Sequence, residues 1–394
     1  MPHQAYELVT DTDRLGEVAA RLASVPAIAV DTEFVRRTTF YAKPGLLQLS
    51  DGTGEFLVDL VVLPDISALR GIFLAAQPLK VMHSCGEDLE VLKRLFGAVP
   101  GSLFDTQVAA AMLGHPLQLS YQKLVKTMLG IDVPKDETQS DWTARPLSEA
   151  QLSYAALDVR HLLPVWQRLA ADLDTRGRMP WLEEDCARLL RDAAREHSVE
   201  DYYRGITNAW RLRPASLALL ATLACWREVT AREVDKPRAH VVPDNILWWV
   251  AQRRPQTLQH LRTIPDFHPM ALRKYGDALL RIVQETSATT GLAQTVPPLP
   301  LPLPPPLPRE AKGALSALRD VATKVAGELG VETEVLVRRR YLEALLESVR
   351  NGAAVLPPML DGWRRPLVGE RLLAAAEARS VEVRGWALET VDGD

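Results

Sequence analysis

Two carboxylates stand two residues apart in "AVDTEF", residues 29–34, at the end of a short apolar run. The preceding "PAIAV" is rich in small and β-branched residues, which suits a strand interior. Side chains alternate across a strand, so Asp31 and Glu33 share one face. Like charges side by side repel and resist losing water. A strand end open to solvent would relieve them; so would a cation held between them, and that arrangement is a metal site. "HSCGEDLEVL", 83–92, adds Asp88 in the first turn of an amphipathic helix that buries Leu89, Leu92 and Leu95 or Phe96. An acid there also complements the helix dipole, as Glu87 and Glu90 would. "SYAALDVRHLLPVW", 153–166, puts Tyr154 and Asp158 one turn apart on one helix face, a spacing that serves a simple hydrogen bond as readily as a site.

These residues must be positioned by the elements around them. Strand signals fall near 27–33, 45–50 ("GLLQLS"), 55–60 ("EFLVDL"), 80–84 ("KVMHS") and 102–105 ("SLFD"). Helical periodicity appears near 12–23, 65–76, 87–96, 105–113, 119–129 and 148–173. Three strands in quick succession, then strands separated by helices, predict an α/β mixed sheet with helices on its faces. From 181 onward the pattern is all helical.

The length of 394 residues allows two or three domains. No stretch reaches the apolar length of a membrane span, and "MPHQAYELVTDTDR" has no apolar signal core. Cys85, Cys186 and Cys225 are odd in number and far apart, with no metal-ligand spacing, so reduced thiols in a cytoplasmic protein are expected. The net charge of −4 conceals an uneven distribution. Residues 210–285 hold 12 Lys+Arg against 7 Asp+Glu, whereas residues 1–180 hold 17 against 22. The middle segment is the one suited to a polyanion. "PPLPLPLPPPLP", 297–308, has eight prolines in twelve residues and predicts an extended, stiff spacer between two helical units, rather than an SH3-type ligand.

An Asp-x-Glu on the first recognised strand, an Asp on a helix after a later strand and a Tyr-x-x-x-Asp on a closing helix resemble the DEDD family of 3′→5′ exonucleases, in its tyrosine subgroup. The blocks "DTEFVRRTTFYAKPGLLQLSD", "HSCGEDLEVL", "FDTQVAA" and "SDWTARPLSEAQLSYAALDV" resemble its ribonuclease D branch. "LATLACWREVTAREVDKPRAHVVPDNILWWVA", 221–251, is similar to the helicase-and-RNase-D C-terminal (HRDC) domain, and 309–382 resembles a second, weaker unit of that type. The resemblance implies an RNase H-like exonuclease domain over 1–180, a connecting helix over 181–204, an HRDC domain over 205–288, a proline-rich linker over 289–308 and a second HRDC-like domain over 309–394.

It also implies a chemistry. Two divalent cations, Mg²⁺ or Mn²⁺, about 4 Å apart would serve an in-line phosphoryl displacement, and hard carboxylate oxygens suit them. By resemblance Asp31 bridges both ions, Glu33 and Asp158 bind the ion carrying the attacking water, and Asp88 holds the second through water. Tyr154 orients the water, because an unperturbed phenol with a pKa of about 10 is a poor base at neutral pH. Phe34 would wedge against the terminal base or pack as a core phenylalanine, and Arg36, Arg37 and Lys43 would touch phosphates or simply be solvated in their loop. His83 reads as structural, and Trp226, Trp248 and Trp249 as core rather than stacking platforms. The expected activity is a metal-dependent 3′→5′ exoribonuclease that releases 5′-mononucleotides from precursor transfer RNAs, with RNA as partner and no stable protein partner. A DNA exonuclease and a binding protein with an inactive nuclease fold are the alternatives.

Overall fold

In the computed structural model of the chain, which describes residues 6–63, 65–134, 140–196, 198–289 and 303–386, the apolar runs read from the sequence form strands. They are β2 (Ala27–Val35), β3 (Lys43–Ser50), β4 (Glu55–Asp59), β5 (Leu79–Met82) and β6 (Phe104–Asp105), preceded by β1 (Tyr6–Val9). The sheet order is β1-β4-β3-β2-β5-β6. β2, β3 and β4 pair antiparallel, while β1 joins β4, and β5 joins β2 and β6, in parallel. β1 was not foreseen: it has four residues, of which only Val9 is buried, and so carries little alternation to read. The β2–β3 register slips after Glu33, which leaves Gly45 without an opposite residue. A Cβ at Gly45 would lie 2.2 Å from the Trp142 carbonyl oxygen, so the bulge needs glycine for the chain to approach there.

The helices of this part are α1 (Thr12–Leu22), α2 (Ser67–Leu74), α3 (Gly86–Phe96), α4 (Thr106–Met112), α5 (Tyr121–Leu129), α6 (Glu149–Arg160), α7 (Leu162–Thr175) and α8 (Met179–Ala194). The helical stretch expected over 148–173 is two helices, separated at His161. Pro164 is the physical reason, since it cannot donate to the Arg160 carbonyl and its ring crowds it. The expected mixed sheet with flanking helices is observed.

The second half is helical: α9 (Pro214–Glu233), α10 (Arg238–Val241), α11 (Asp244–Arg253), α12 (Leu258–Arg262), α13 (Pro269–Thr289), α14 (Ala311–Leu329), α15 (Thr333–Leu336), α16 (Arg339–Arg350), α17 (Glu370–Glu377) and α18 (Ser380–Arg384). The described residues group into two compact units: those of Met1–Val35, Lys43–Arg195 and Leu307–Ala387, and those of Arg36–Ala42 and Glu196–Pro306. In the first unit one core runs from Val9 to Trp386, so the last helices share it with the sheet-bearing part. Trp363 stacks on Trp181 at 4.6 Å, and Arg364 grips the buried Asp185 with two bonds of 2.7 and 2.8 Å. Arg178 donates to the Leu329 carbonyl at 2.6 Å.

The second unit has its own core, from Tyr203 to Val283. Trp226, Trp248 and Trp249 pack against it half-buried, in agreement with the core reading. The fully buried Glu228 is held by Arg232 and Arg238. Phe40 lies against both arginines, and Asp235 accepts from the backbone N–H groups of Phe40 and Tyr41, which ties the 36–42 segment to this unit. Half of the proline-rich stretch at 297–308 lies outside the described residues; the other half, 303–308, carries neither helix nor strand. No helix among the described residues is long and apolar enough to cross a membrane, and the three cysteines are free thiols.

Candidate active site

Strand alternation puts Asp31 and Glu33 on the sheet face that α6 covers. α6 begins with a capping box, in which Ser148 accepts from the Gln151 N–H and the Gln151 side chain answers on the Ser148 N–H. Its Leu152, Ala155, Ala156 and Val159 are buried, and the small alanines let the helix lie close to the sheet. Tyr154 and Asp158 are thereby brought beside the strand pair. Oxygens of Asp31, Glu33 and Asp158 all lie within 4.8 Å of one another.

Asp88 is reached from the other side of β2. Thr32, between the two acids in sequence, points to the opposite face, and its hydroxyl donates to the Asp88 carboxylate at 2.5 Å. The Asp88 oxygens are not within that 4.8 Å group, although the Asp88 charge acts on Asp31 ahead of those of Asp158 and Glu33. Asp105 sets the start of α3. It accepts from the N–H groups of Ser84 and Cys85 at 3.2 and 3.0 Å and caps α4 through Gln107 and Val108 at 2.8 and 3.2 Å. Ser84 has a φ of +57°, a strained value for a residue other than glycine, and the Asp105 bonds hold it there.

The electrostatics follow from burial without a countercharge. Burial pushes the Asp31 carboxyl well above the usual range, and the charges of Asp88, Asp158 and Glu33 push it further. Glu33 is raised to about 8 by burial and by Asp158 and Asp88. Asp158 rises to about 7 through burial, opposed by a hydrogen bond from Tyr154. Asp88 rises to about 6 through burial, opposed by Thr32. Burial, then the charges of Asp158, Glu33 and Asp31, lift the Tyr154 phenol above its ordinary value. Tyr154 therefore stays protonated at neutral pH and is a donor rather than a base. Among the described residues no lysine or arginine forms an ion pair with Asp31, Glu33 or Asp158. An acidic group of hard oxygens, with neither a basic side chain nor a thiolate among its donors, fits a hard divalent cation.

Several residues that serve this site were not singled out from the sequence. Tyr121 donates to the Leu157 carbonyl at 2.8 Å and accepts from the His161 N–H at 3.3 Å, clamping the α6–α7 break on both sides of Asp158. Trp142 lies 6.2 Å from Tyr154, centroid to centroid. Its loop is pinned by Arg145, which takes both oxygens of Asp59 at 2.6 Å and the Gly45 carbonyl at 2.8 Å. Gln48 is fully buried, and neither polar atom of its amide has a partner. Such a group costs about 1–3 kcal/mol. Only Asp105 had a readable signal, as an acid between a strand and a helix in the N-cap pattern.

The other candidates fall as follows. Both nitrogens of His83 are engaged, by the Thr106 hydroxyl at 2.9 Å and the Leu119 carbonyl at 3.1 Å, which is a structural role. Phe34 is half-buried at the β2 bulge. Lys43, Arg36 and Arg37 are exposed, and the two arginines belong to the segment that packs with the second unit.

A mixed sheet that offers an Asp-x-Glu pair to a helix bearing Tyr-x-x-x-Asp, with helical units after it, defines a 3′→5′ exonuclease of the DEDD type. In agreement, the 3′-5′ exonuclease family matches residues 6–174, the HRDC domain 216–283, and the ribonuclease D C-terminal HRDC domain 310–372. The chain is 42% identical over 371 residues to ribonuclease D of Pseudomonas paraeruginosa, covering 94% of this chain and 97% of that one. It is 35% identical over 376 residues to ribonuclease D of Escherichia coli, covering 93% and 97%. The crystal structure of Escherichia coli RNase D, an exoribonuclease involved in structured RNA processing, superposes with a TM-score of 0.86 at 34% identity, covering 95% of this chain and 99% of that one. The catalytic core of RRP6 from Trypanosoma brucei superposes with a TM-score of 0.57 at 25% identity, covering 73% and 82%. The chain belongs to the ribonuclease D family. It is a 3′→5′ exoribonuclease with RNA-binding HRDC domains, and neither the DNA-exonuclease nor the inactive-fold alternative is favoured.

Proposed function

We propose that this exoribonuclease trims the 3′ trailing sequence of precursor transfer RNAs, releasing 5′-mononucleotides, with two divalent cations, Mg²⁺ or Mn²⁺, held by Asp31, Glu33, Asp158 and Asp88. The observation that carries the reading is the group of three carboxylates within 4.8 Å, all with raised pKa and none with a basic partner. When bound, such cations supply the charge that acidifies a water and stabilises the departing oxygen of a phosphodiester. Asp31 would serve both cations, Glu33 and Asp158 would hold one of them, and Asp88 the other. Thr32 holds Asp88 in place for that role. The protonated Tyr154 phenol gives its one hydrogen to Asp158, so its oxygen would accept from, and so orient, the attacking water, and Trp142 backs its ring. Phe34 stacks on the terminal base and Arg36 meets a phosphate. The excess positive charge of residues 210–285 holds the RNA backbone.

The test is a transfer RNA with a short 3′ extension, labelled at its 5′ end and incubated with Mg²⁺ or Mn²⁺. A ladder that shortens one nucleotide at a time and stops near the mature end is expected, absent with a chelator and in Asp31→Asn. Internal cuts, or equal shortening of a DNA of the same sequence, would overturn the reading.

A further inference from the structure

Gln48 sits in the middle of β3, directly opposite Asp31 on β2 and Leu57 on β4. Residues directly opposite in antiparallel strands present their side chains to the same face. Gln48 is therefore on the face that carries Asp31 and Glu33, beneath α6. The other side chains packed there, Leu46, Leu57, Leu152, Ala155, Ala156 and Trp142, form an apolar cluster. A leucine or methionine would complete that cluster, yet the position holds an amide with no exposed surface and no partner for either Oε1 or Nε2. Folding alone gives no reason to keep a buried, unpaired amide.

The neighbour that gives a reason is Asp31. Side chains of a directly opposed pair start about 5 Å apart at Cβ, so the Gln48 amide and the Asp31 carboxylate are neighbours on one face, although no hydrogen bond joins them in this structure. Asp31 has two oxygens, and those that face Glu33 and Asp158 leave the remaining lone pairs needing a donor. Asp31 receives a backbone hydrogen bond from Thr32 and has no basic side chain beside it. The Gln48 Nε2 group is the spare buried donor on that face.

We propose that Gln48 is a positioning residue of the metal site: its amide N–H, which makes no bond in this structure, donates to the Asp31 carboxylate when Asp31 takes up a cation, and fixes the direction in which Asp31 presents its ligand oxygen. The inference rests on the reading of Asp31 as a metal ligand. Partners behind a metal ligand set its orientation, and their loss commonly weakens metal binding or activity 10- to 100-fold.

Gln48→Met tests it, because methionine has similar length and volume and no donor. Calorimetric titration of Mn²⁺ into the full chain, without RNA, is expected to show binding weakened about tenfold or more. With chelator present, the thermal midpoint of Gln48→Met should equal or exceed that of the wild type, since an unpaired buried amide has been removed. On RNA, kcat should fall while KM stays put. If Gln48→Met binds Mn²⁺ as the wild type does while Asp31→Asn binds it poorly, the role of Gln48 is overturned and the metal site stands. If Gln48→Met has a lowered midpoint in chelator and unaltered Mn²⁺ affinity, the residue is purely structural and the proposal fails. If Asp31→Asn itself binds Mn²⁺ like the wild type, the metal reading falls and takes the role of Gln48 with it.

Discussion

Removing divalent cations should make this protein progressively less stable as pH rises from about 5 to 8. Glu33 ionises at its ordinary value of 4.5 in the unfolded chain and at about 8 in the folded one. Between those values the folded state holds more protons than the unfolded state, so stability falls as pH rises. At 1.36 kcal/mol per pKa unit, Glu33 alone would cost up to ~5 kcal/mol above pH 8. Water entry and side-chain movement screen buried charge, and we expect roughly half of that to be measurable. For a unit of this size about 2–3 kcal/mol corresponds to a fall of roughly 5–10 °C in the midpoint. A divalent cation at a hundred times its Kd returns about 2.7 kcal/mol, so Mn²⁺ should recover most of the loss at pH 8 and little at pH 5. The assay is thermal unfolding by intrinsic tryptophan fluorescence from pH 5 to 9, with chelator and with Mn²⁺, for the wild type and Glu33→Gln. Glu33→Gln should have the shallower pH slope in chelator and the higher midpoint at pH 8, with a reduced gain from Mn²⁺. A chelated midpoint that is flat from pH 5 to 8, or a full slope kept by Glu33→Gln, would refute the reasoning.

Three further outcomes are expected. Tyr154→Phe should lower single-turnover cleavage about 10²–10⁴-fold while leaving Mn²⁺ affinity near that of the wild type, in contrast with Asp158→Asn; equal losses of affinity in the two variants would remove the positioning role. Asp105→Ala strips four backbone N–H groups of their acceptor and should cost about 2–4 kcal/mol in denaturant unfolding, so a loss below ~1 kcal/mol would mean that the turn does not depend on it. Arg364→Met removes the two-bonded partner of the buried Asp185 carboxylate, which keeps Arg188 and the Trp363 indole N–H, and should destabilise by about 1–3 kcal/mol. The double variant with Asp185→Leu should regain much of that, and an additive pair would show that the ion pair is not the source.

The sequence by itself determined whatever repeats within a few residues. Alternation along 27–35 placed Asp31 and Glu33 on one face, a spacing of four placed Tyr154 beside Asp158, and the apolar runs marked five of the six strands. Backbone geometry fixes those periods, so they survive without knowledge of the partners. Even locally the reading failed where the pattern was thin, at the four-residue edge strand β1, and where one residue outweighed a good period, at Pro164. Tertiary structure decided which distant residues meet. The register that sets Gln48 opposite Asp31 depends on the pairing of two strands and on the bulge at Gly45. Thr32 reaches Asp88 across 56 residues, and Asp105 reaches the turn before α3 from another strand. The last helices, read from the sequence as a unit beyond a proline spacer, pack into the same core as the sheet because Trp363 and Arg364 find Trp181 and Asp185 there. A side chain carries no record of a neighbour dozens of residues away; burial and hydrogen-bond satisfaction in the folded chain select it.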